Sequence, residues 1–246
     1  MRVIVVDDET LARSILMEHL AKVPDVEVIG QAANGFEAVK LAEELQPDLI
    51  FLDIQMPKLS GFEVLELLAE RAPAVIFTTA FDEYALRAFE VHAVDYLLKP
   101  VEPARLKDAV ERAAERLRNH APQPSAQQLA VAARPPGKTL ERVLIRHEGR
   151  VHVLPLERID YVEAQDDYLS FASNGKRLRK QQTMSELETQ LDQTRFVRIH
   201  RSFILNIERL ARIDLYGKDS WLAILSDGTK LPMSRTGHAK LKELIG

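Results

Sequence analysis

Asp48 to Pro57 read DLIFLDIQMP. Leu49 to Leu52 form an apolar run of the kind a strand buried on both faces requires, and the run ends abruptly in Asp53, with Met56, Pro57 and Gly61 close behind. A carboxylate at the carboxyl end of a buried parallel strand stands where open α/β sheets bind ligands. An isolated aspartate in that setting more often caps the next helix, so its company elsewhere in the chain decides how it is read.

The same order of apolar strand, polar end and amphipathic helix recurs on both sides of this stretch. Val3 to Val6 run into Asp7, Asp8 and Glu9, and Thr10 is placed to cap a helix with an apolar face of Leu11, Ile15, Leu16 and Leu20. Further strands are expected over residues 26–30, 49–53, 75–79 and 94–98, and helices over 36–45, 61–70, 84–91 and 103–118. Five strands alternating with five helices imply a doubly wound parallel sheet with helices on both faces and a ligand crevice along its carboxyl edge.

Four polar sites fall on that edge: Asp7 with Asp8, Asp53, Thr79 with the small Ala80, and Lys99. Three carboxylates converging in one crevice repel one another unless a cation neutralises them, and all-oxygen ligation suits Mg²⁺. Cation, ammonium and hydroxyl together could hold the oxygens of an aspartyl phosphate formed on Asp53 as nucleophile. Each of these residues alone has an ordinary structural explanation; their occurrence at successive strand ends does not.

At this point residues 1–118 resemble the receiver domain of two-component response regulators. The resemblance implies that Asp53 is the phosphoacceptor, assisted by Thr79 and Lys99, and that Mg²⁺ is held by Asp8, Asp53 and the backbone carbonyl of Gln55, with Asp7 acting through water. It also implies a switch pair of Thr79 and Tyr96, a cis Lys99-Pro100 bond, and a sensor histidine kinase as phosphoryl donor. On this reading the chain is a switch, not an enzyme, and phosphorylation reshapes a homodimer face built from residues 84–91, 94–98 and 103–118.

Whole-chain properties are compatible with this. The 246 residues suffice for two ordinary domains, the absence of cysteine excludes disulfides and thiolate metal sites, and no apolar run is long enough to span a membrane. With no signal-peptide pattern at MRVIVVDDE, a cytoplasmic location is expected. The net charge of −4 conceals an asymmetry: residues 1–120 carry 13 Lys+Arg against 22 Asp+Glu, and the remainder carries 20 against 15. An acidic module joined to a basic one suits a regulatory part and a polyanion-binding part.

Residues 119–138, with Pro122, Pro124, Pro135, Pro136 and Gly137, read as a semi-flexible linker. From residue 139 on the pattern changes to short strands separated by hairpin signals, among them Gly149, Asn174-Gly175, Gly217 and Asp227-Gly228, with Tyr216, Trp221 and Leu231 as β-core residues. Thr183 and Glu186 form a capping box for a short helix, and a last helix is expected over 236–244. The stretch Phe196 to Asn206, FVRIHRSFILN, sets Arg198, His200 and Arg201 among apolar residues, so that basic groups at a strand rim can reach phosphates or base edges. The same rim could equally serve only to discourage strand pairing.

IDYVEAQDDYLSF, FVRIHRSFILN and LPMSR together resemble the LytTR domain, an antiparallel β module that binds DNA. The resemblance implies contacts to double-stranded promoter DNA from Gln165, Asp167 and Tyr168 in one loop, from His200 and Arg201, and from Ser234 and Arg235. The expected organisation is therefore a receiver over residues 1–118, a linker over 119–138 and a DNA-binding domain over 139–246, acting as a dimer. A β-domain that binds another protein is the alternative from a different class. A Mg²⁺-dependent phosphatase using Asp53 is disfavoured by Gln55 standing where a second aspartate would be needed.

Overall fold

The computed structural model describes residues 1–68, 72–80, 93–119, 140–147, 150–216 and 220–245, and the chain divides into two compact units, Met1–Pro136 and Gly137–Gly246. The expected helix over 84–91, nearly all of the expected linker, and the turn residues Gly149 and Gly217 lie outside the described residues.

In the first unit, β1 (Arg2–Val6), β2 (Glu27–Ala32), β3 (Leu49–Asp53), β4 (Ala74–Thr79) and β5 (Asp95–Leu98) form a parallel sheet in the order β2-β1-β3-β4-β5. Among the described residues its helices are α1 (Thr10–Leu20), α2 (Gly35–Leu45), α3 (Gly61–Leu68) and α4 (Pro103–Arg118). Every residue of β3 and β4 is buried, as their unbroken apolar runs require. Alternation along the strands divides the core. Val3, Val5, Leu49, Phe51 and Ile76 pack with Leu16 and Leu20 of α1 and Leu106, Ala109, Val110 and Ala113 of α4. Fully burying a side chain such as Phe51 contributes about 1.5–3 kcal/mol. At the start of β5, buried Asp95 pairs with Arg105 and Arg112 of α4, which ties that helix to the sheet edge.

Two expectations about α1 require correction. Glu9, not Thr10, is the N-cap, and its side chain makes no capping hydrogen bond; Thr10 is already helical. Of the expected apolar face, only Leu16 and Leu20 are buried, whereas Leu11 is 73% and Ile15 42% exposed, because the sheet covers a narrower stripe of this helix than its apolar residues span.

The second unit begins with the hairpin of β6 (Arg142–His147) and β7 (Arg150–Pro155). A five-stranded antiparallel sheet follows, ordered β10-β9-β8-β12-β11, from β8 (Tyr161–Gln165), β9 (Tyr168–Ser173), β10 (Lys176–Gln181), β11 (Phe196–His200) and β12 (Phe203–Asn206). A third sheet contains β13 (Leu210–Leu215), β14 (Trp221–Leu225) and β15 (Lys230–Met233). Two helices complete the unit, α5 (Met184–Gln190), which carries the Thr183–Glu186 capping box, and α6 (Arg235–Ile245).

The five-stranded sheet is the middle layer. Val162, Leu169, Phe171 and Ile204 face a core shared with the first hairpin and α5, while Tyr161, Ala172, Ile199 and Leu205 face one shared with the three-stranded sheet and α6. Asn174 and Gly175 both have positive φ, as a type I′ turn demands. Tyr216, expected in the core, is instead 70% exposed at the end of its strand, and it is Trp221 that turns inward, its ring stacked 3.9 Å from that of His238.

Candidate metal centre and nucleic-acid interface

Parallel register sets the first site. Val6 pairs with Leu52, Asp53 with Thr78, and Thr79 with Leu98, so Asp7, Asp53, Thr79 and Lys99 all reach the carboxyl edge within one residue of a common level. Asp7, Asp8 and Asp53 each offer a carboxylate oxygen within 4.8 Å of the others; Asp7 and Asp53 are buried and Asp8 is exposed. Lys99 Nζ lies 2.7 Å from Asp53 Oδ2 and 2.8 Å from Asp7 Oδ2, and 4.0 Å from Glu9 Oε2. The remaining carboxylate oxygens are held by backbone: Gln55 N donates to Asp53 Oδ1 at 3.2 Å and Glu9 N to Asp7 Oδ1 at 3.0 Å. The Lys99-Pro100 bond is cis.

One ammonium shared by two buried carboxylates leaves a deficit of positive charge. Burial raises the Asp53 carboxyl above its ordinary range, outweighing the opposing pull of Lys99, and the Asp7 charge pushes the same way. Burial alone would lower the Lys99 ammonium, but its hydrogen bonds to Asp53 and Asp7 more than offset that and hold it raised. Asp7, Asp53 and the exposed Asp8 thus share a single ammonium, an excess of negative charge that a cation would neutralise. Three hard carboxylates, one of them open to solvent, are the donor set Mg²⁺ takes, so the residues fit that ion.

Thr79 is fully buried and, among the described residues, its Oγ1 has no hydrogen-bond partner. Tyr96, on β5 opposite Phe77, is 7% exposed. Gly61 is required by the close approach of α3 to the site: a Cβ there would lie 2.4 Å from the Asp53 carbonyl oxygen, and Gly61 N donates to Ile54 O at 2.9 Å. Sequence reading missed two supports. Arg13 donates to the Asp7 carbonyl at 2.7 Å. A cavity of about 460 Å³ beside Lys99 is lined by Leu11, Ile15 and Val101 among others. The signal for the second was an apolar i, i+4 pair on a helix whose core stripe was already complete.

In the second unit, three segments named from sequence meet at one end. Gln165 and Tyr168 close the β8–β9 turn, where Asp166 has φ of 51° and Tyr168 is 47% exposed; Asp167 is exposed as well. Ala164 N donates to Ser202 O at 2.9 Å, which sets this turn beside the β11–β12 turn carrying His200 and exposed Arg201. Ser234 N donates to Ile199 O at 2.8 Å, which brings exposed Arg235 to the same end.

Not all of these side chains are equally available. Ser234 Oγ accepts from Gly237 N at 3.0 Å and donates to Ile199 O at 3.2 Å, so it caps α6. His200 Nδ1 accepts from Ser202 N at 3.2 Å, so that ring nitrogen is engaged by the backbone of the turn. Arg198, grouped with the basic rim from sequence, is instead tied to Glu188 of α5 at 3.0 Å.

A doubly wound sheet with an acidic pocket and a lysine at its carboxyl edge has the fold and site of a response regulator's receiver, and the β unit that follows presents exposed Arg201 and Arg235 at one end. Residues 3–111 match the response regulator receiver domain, and residues 149–246 match the LytTr DNA-binding domain. The chain is 37% identical over 248 residues to the transcriptional regulatory protein BtsR of Salmonella typhi, and 34% identical over 248 residues to the sensory transduction protein LytT of Enterococcus faecalis; each comparison covers 100% of this chain and 99% of the relative. It is also 36% identical over 244 residues to an uncharacterized response regulatory protein of Vibrio cholerae, covering 99% of this chain and 98% of that one. The protein belongs to the two-component response regulators that join a receiver domain to a LytTR DNA-binding domain and act as transcriptional regulators. Among the described residues no helix is long and apolar enough to cross a membrane.

Proposed function

We propose that Asp53 is phosphorylated by a sensor histidine kinase in the presence of Mg²⁺, and that the phosphorylated chain binds promoter DNA as a cytoplasmic homodimer. A receiver over residues 1–118, a linker over 119–138 and a DNA-binding domain over 139–246 are the matching organisation. The observation that carries the phosphorylation reading is the Lys99 ammonium held between Asp53 and Asp7 at a strand edge that also holds the buried hydroxyl of Thr79.

A carboxylate oxygen of Asp53 attacks the phosphorus of a phosphohistidine. The P–O bond forms as the P–N bond breaks, and the imidazole nitrogen leaves with the electron pair and regains a proton. When bound by Asp8, Asp53 and the Gln55 carbonyl, with Asp7 acting through water, Mg²⁺ would neutralise phosphoryl charge. Lys99 then exchanges its contact with Asp53 for a phosphoryl oxygen while keeping Asp7 as an anchor. Thr79 Oγ1 donates to a second oxygen, and the space it leaves admits a turn of Tyr96. The only covalent chemistry is on the chain itself, so the protein is a switch.

Exposed Leu98 and the outer side of α4 belong to the proposed dimer face, together with residues 84–91. At the other end of the chain, His200, Arg201 and Arg235 supply direct contacts to DNA, with Gln165, Asp167 and Tyr168 alongside, and Ser234 acts by capping the helix that presents Arg235. The test is labelling with a small phosphodonor with and without Mg²⁺, followed by sedimentation and DNA binding. Wild type should label, shift towards dimer and bind more tightly, and Asp53→Asn should do none of these. Labelling of Asp53→Asn would remove Asp53 from the role.

A further inference from the structure

Edge strand β10 reads KRLRKQ, four cations in five residues. Lys176, Arg177 and Arg179 are exposed. Arg177 is committed: it donates to Glu163 Oε2 at 2.8 Å and to the Tyr161 hydroxyl at 2.7 Å. Among the described residues Lys176 and Arg179 make no ion pair or side-chain hydrogen bond. A basic edge strand discourages pairing with another sheet, but one or two lysines would do that. A second arginine carried on the outermost strand is more charge than edge protection needs.

Register tells where these charges lie. Gln181 pairs with Tyr168, in the turn at the DNA-facing end; Arg179 pairs with Ser170 and Lys176 with Ser173. At about 3.3 Å per residue, Arg179 stands roughly 7 Å and Lys176 roughly 17 Å behind that turn. A major groove is about 8.5 Å deep. A turn that reaches the groove floor therefore sets residues about that far back on the sheet edge level with the phosphate ridge bounding the groove. Arg179 is at that height. Lys176 is about one further groove depth away.

Resting on the DNA-binding reading of the second unit, we propose that β10 is a phosphate-contacting edge that grips one wall of the groove, with Arg179 as its principal contact and Lys176 as a peripheral one. Such contacts position the domain without reading sequence. They stand on the opposite edge of the five-stranded sheet from β11, whose end adjoins Arg235. With four strand spacings of about 4.8 Å between them, the two edges are roughly 19 Å apart, so the domain would hold the duplex on both sides of the inserted turns.

The test uses the full chain and a mixed-sequence DNA duplex, with binding followed by fluorescence anisotropy over a series of salt concentrations. Arg179→Gln should reduce the steepness of log affinity against log salt by about 0.9, the value of one phosphate contact. Lys176→Gln should reduce it less, and Arg179→Lys should restore it. Weakening should be equal on unrelated duplexes, unlike that of a base-reading residue. If Arg201→Ala weakens binding while Arg179→Gln leaves the slope unchanged, the edge contact is wrong and the DNA reading stands. If the wild type binds no duplex, both fall.

Discussion

Lys99 Nζ donates to Asp53 Oδ2 at 2.7 Å, reaching from the end of β5 across β4 to the end of β3. The same ammonium holds Asp7, so one side chain joins three strand ends, with 15% of its surface exposed. Removing it strands two buried carboxylates. Lys99→Ala should destabilise the first unit by about 3–5 kcal/mol, and Mg²⁺ should recover part of the loss. Calorimetry with and without Mg²⁺ measures both, and an unchanged transition would show that the ammonium is not needed for charge balance.

Gly61→Ala drives a methyl group to 2.4 Å from the Asp53 carbonyl oxygen and 3.1 Å from Leu52 Cγ. Backbone cannot yield as a side-chain tip can, so α3 and the end of β3 must separate, at a cost of about 1–3 kcal/mol. Phosphodonor labelling of the variant should be slower than wild type. Wild-type labelling together with wild-type stability would mean that the helix moves freely relative to the site.

Leu11 and Ile15 are exposed beside the cavity next to Lys99 and contribute little to the core. Leu11→Asp with Ile15→Asp should therefore change stability by no more than about 0.5 kcal/mol per site and leave labelling by a small phosphodonor intact. If a kinase domain docks on this apolar rim to reach Asp53, transfer from it should fall. Equal loss from both donors would place the defect in the chemistry.

Asp227 accepts from Thr229 N and Thr229 Oγ1, each at 2.9 Å, in the β14–β15 turn, and the backbone hydrogen bond leads in holding its carboxyl below the ordinary 3.8. A depressed carboxylate contributes stability that is present above the unfolded value and is lost as pH falls through the folded one. The turn should thus loosen only in acid below 3.8, and Asp227→Asn should remove that pH dependence. NMR titration of the Asp227 side chain decides; a midpoint at or above 3.8 would exclude the linkage.

The parallel sheet was legible because strands buried on both faces spell out their burial in unbroken apolar runs such as LIFLD, and because polar residues at strand ends need no long-range contact to be noticed. Thr183 with Glu186 and Asn174 with Gly175 were legible for a related reason: caps and turns are decided within four residues. What escaped depended on distant partners. Leu11 and Ile15 fit the helical period but outnumber the positions the sheet covers. Arg198 looked like a member of a basic rim until folding placed Glu188 beside it. Ser234 reads as a contact residue, and only folding shows that its hydroxyl also caps α6. The charges of β10 do not stand out in the sequence, and only the strand register relates them to Tyr168.

A Cβ at Gly237 would lie 2.0 Å from the Ile199 carbonyl oxygen, so the last helix is seated directly on the backbone of the strand that carries His200. The segments carrying His200 and Arg235 consequently share one frame. If Arg201 and Arg235 contact DNA as proposed, new target sequences are reachable by exchanging those side chains, but not by swinging one segment against the other. Divergence in this part of the molecule should thus be recorded as changes of letter at fixed positions, with insertions confined to turns away from that seat.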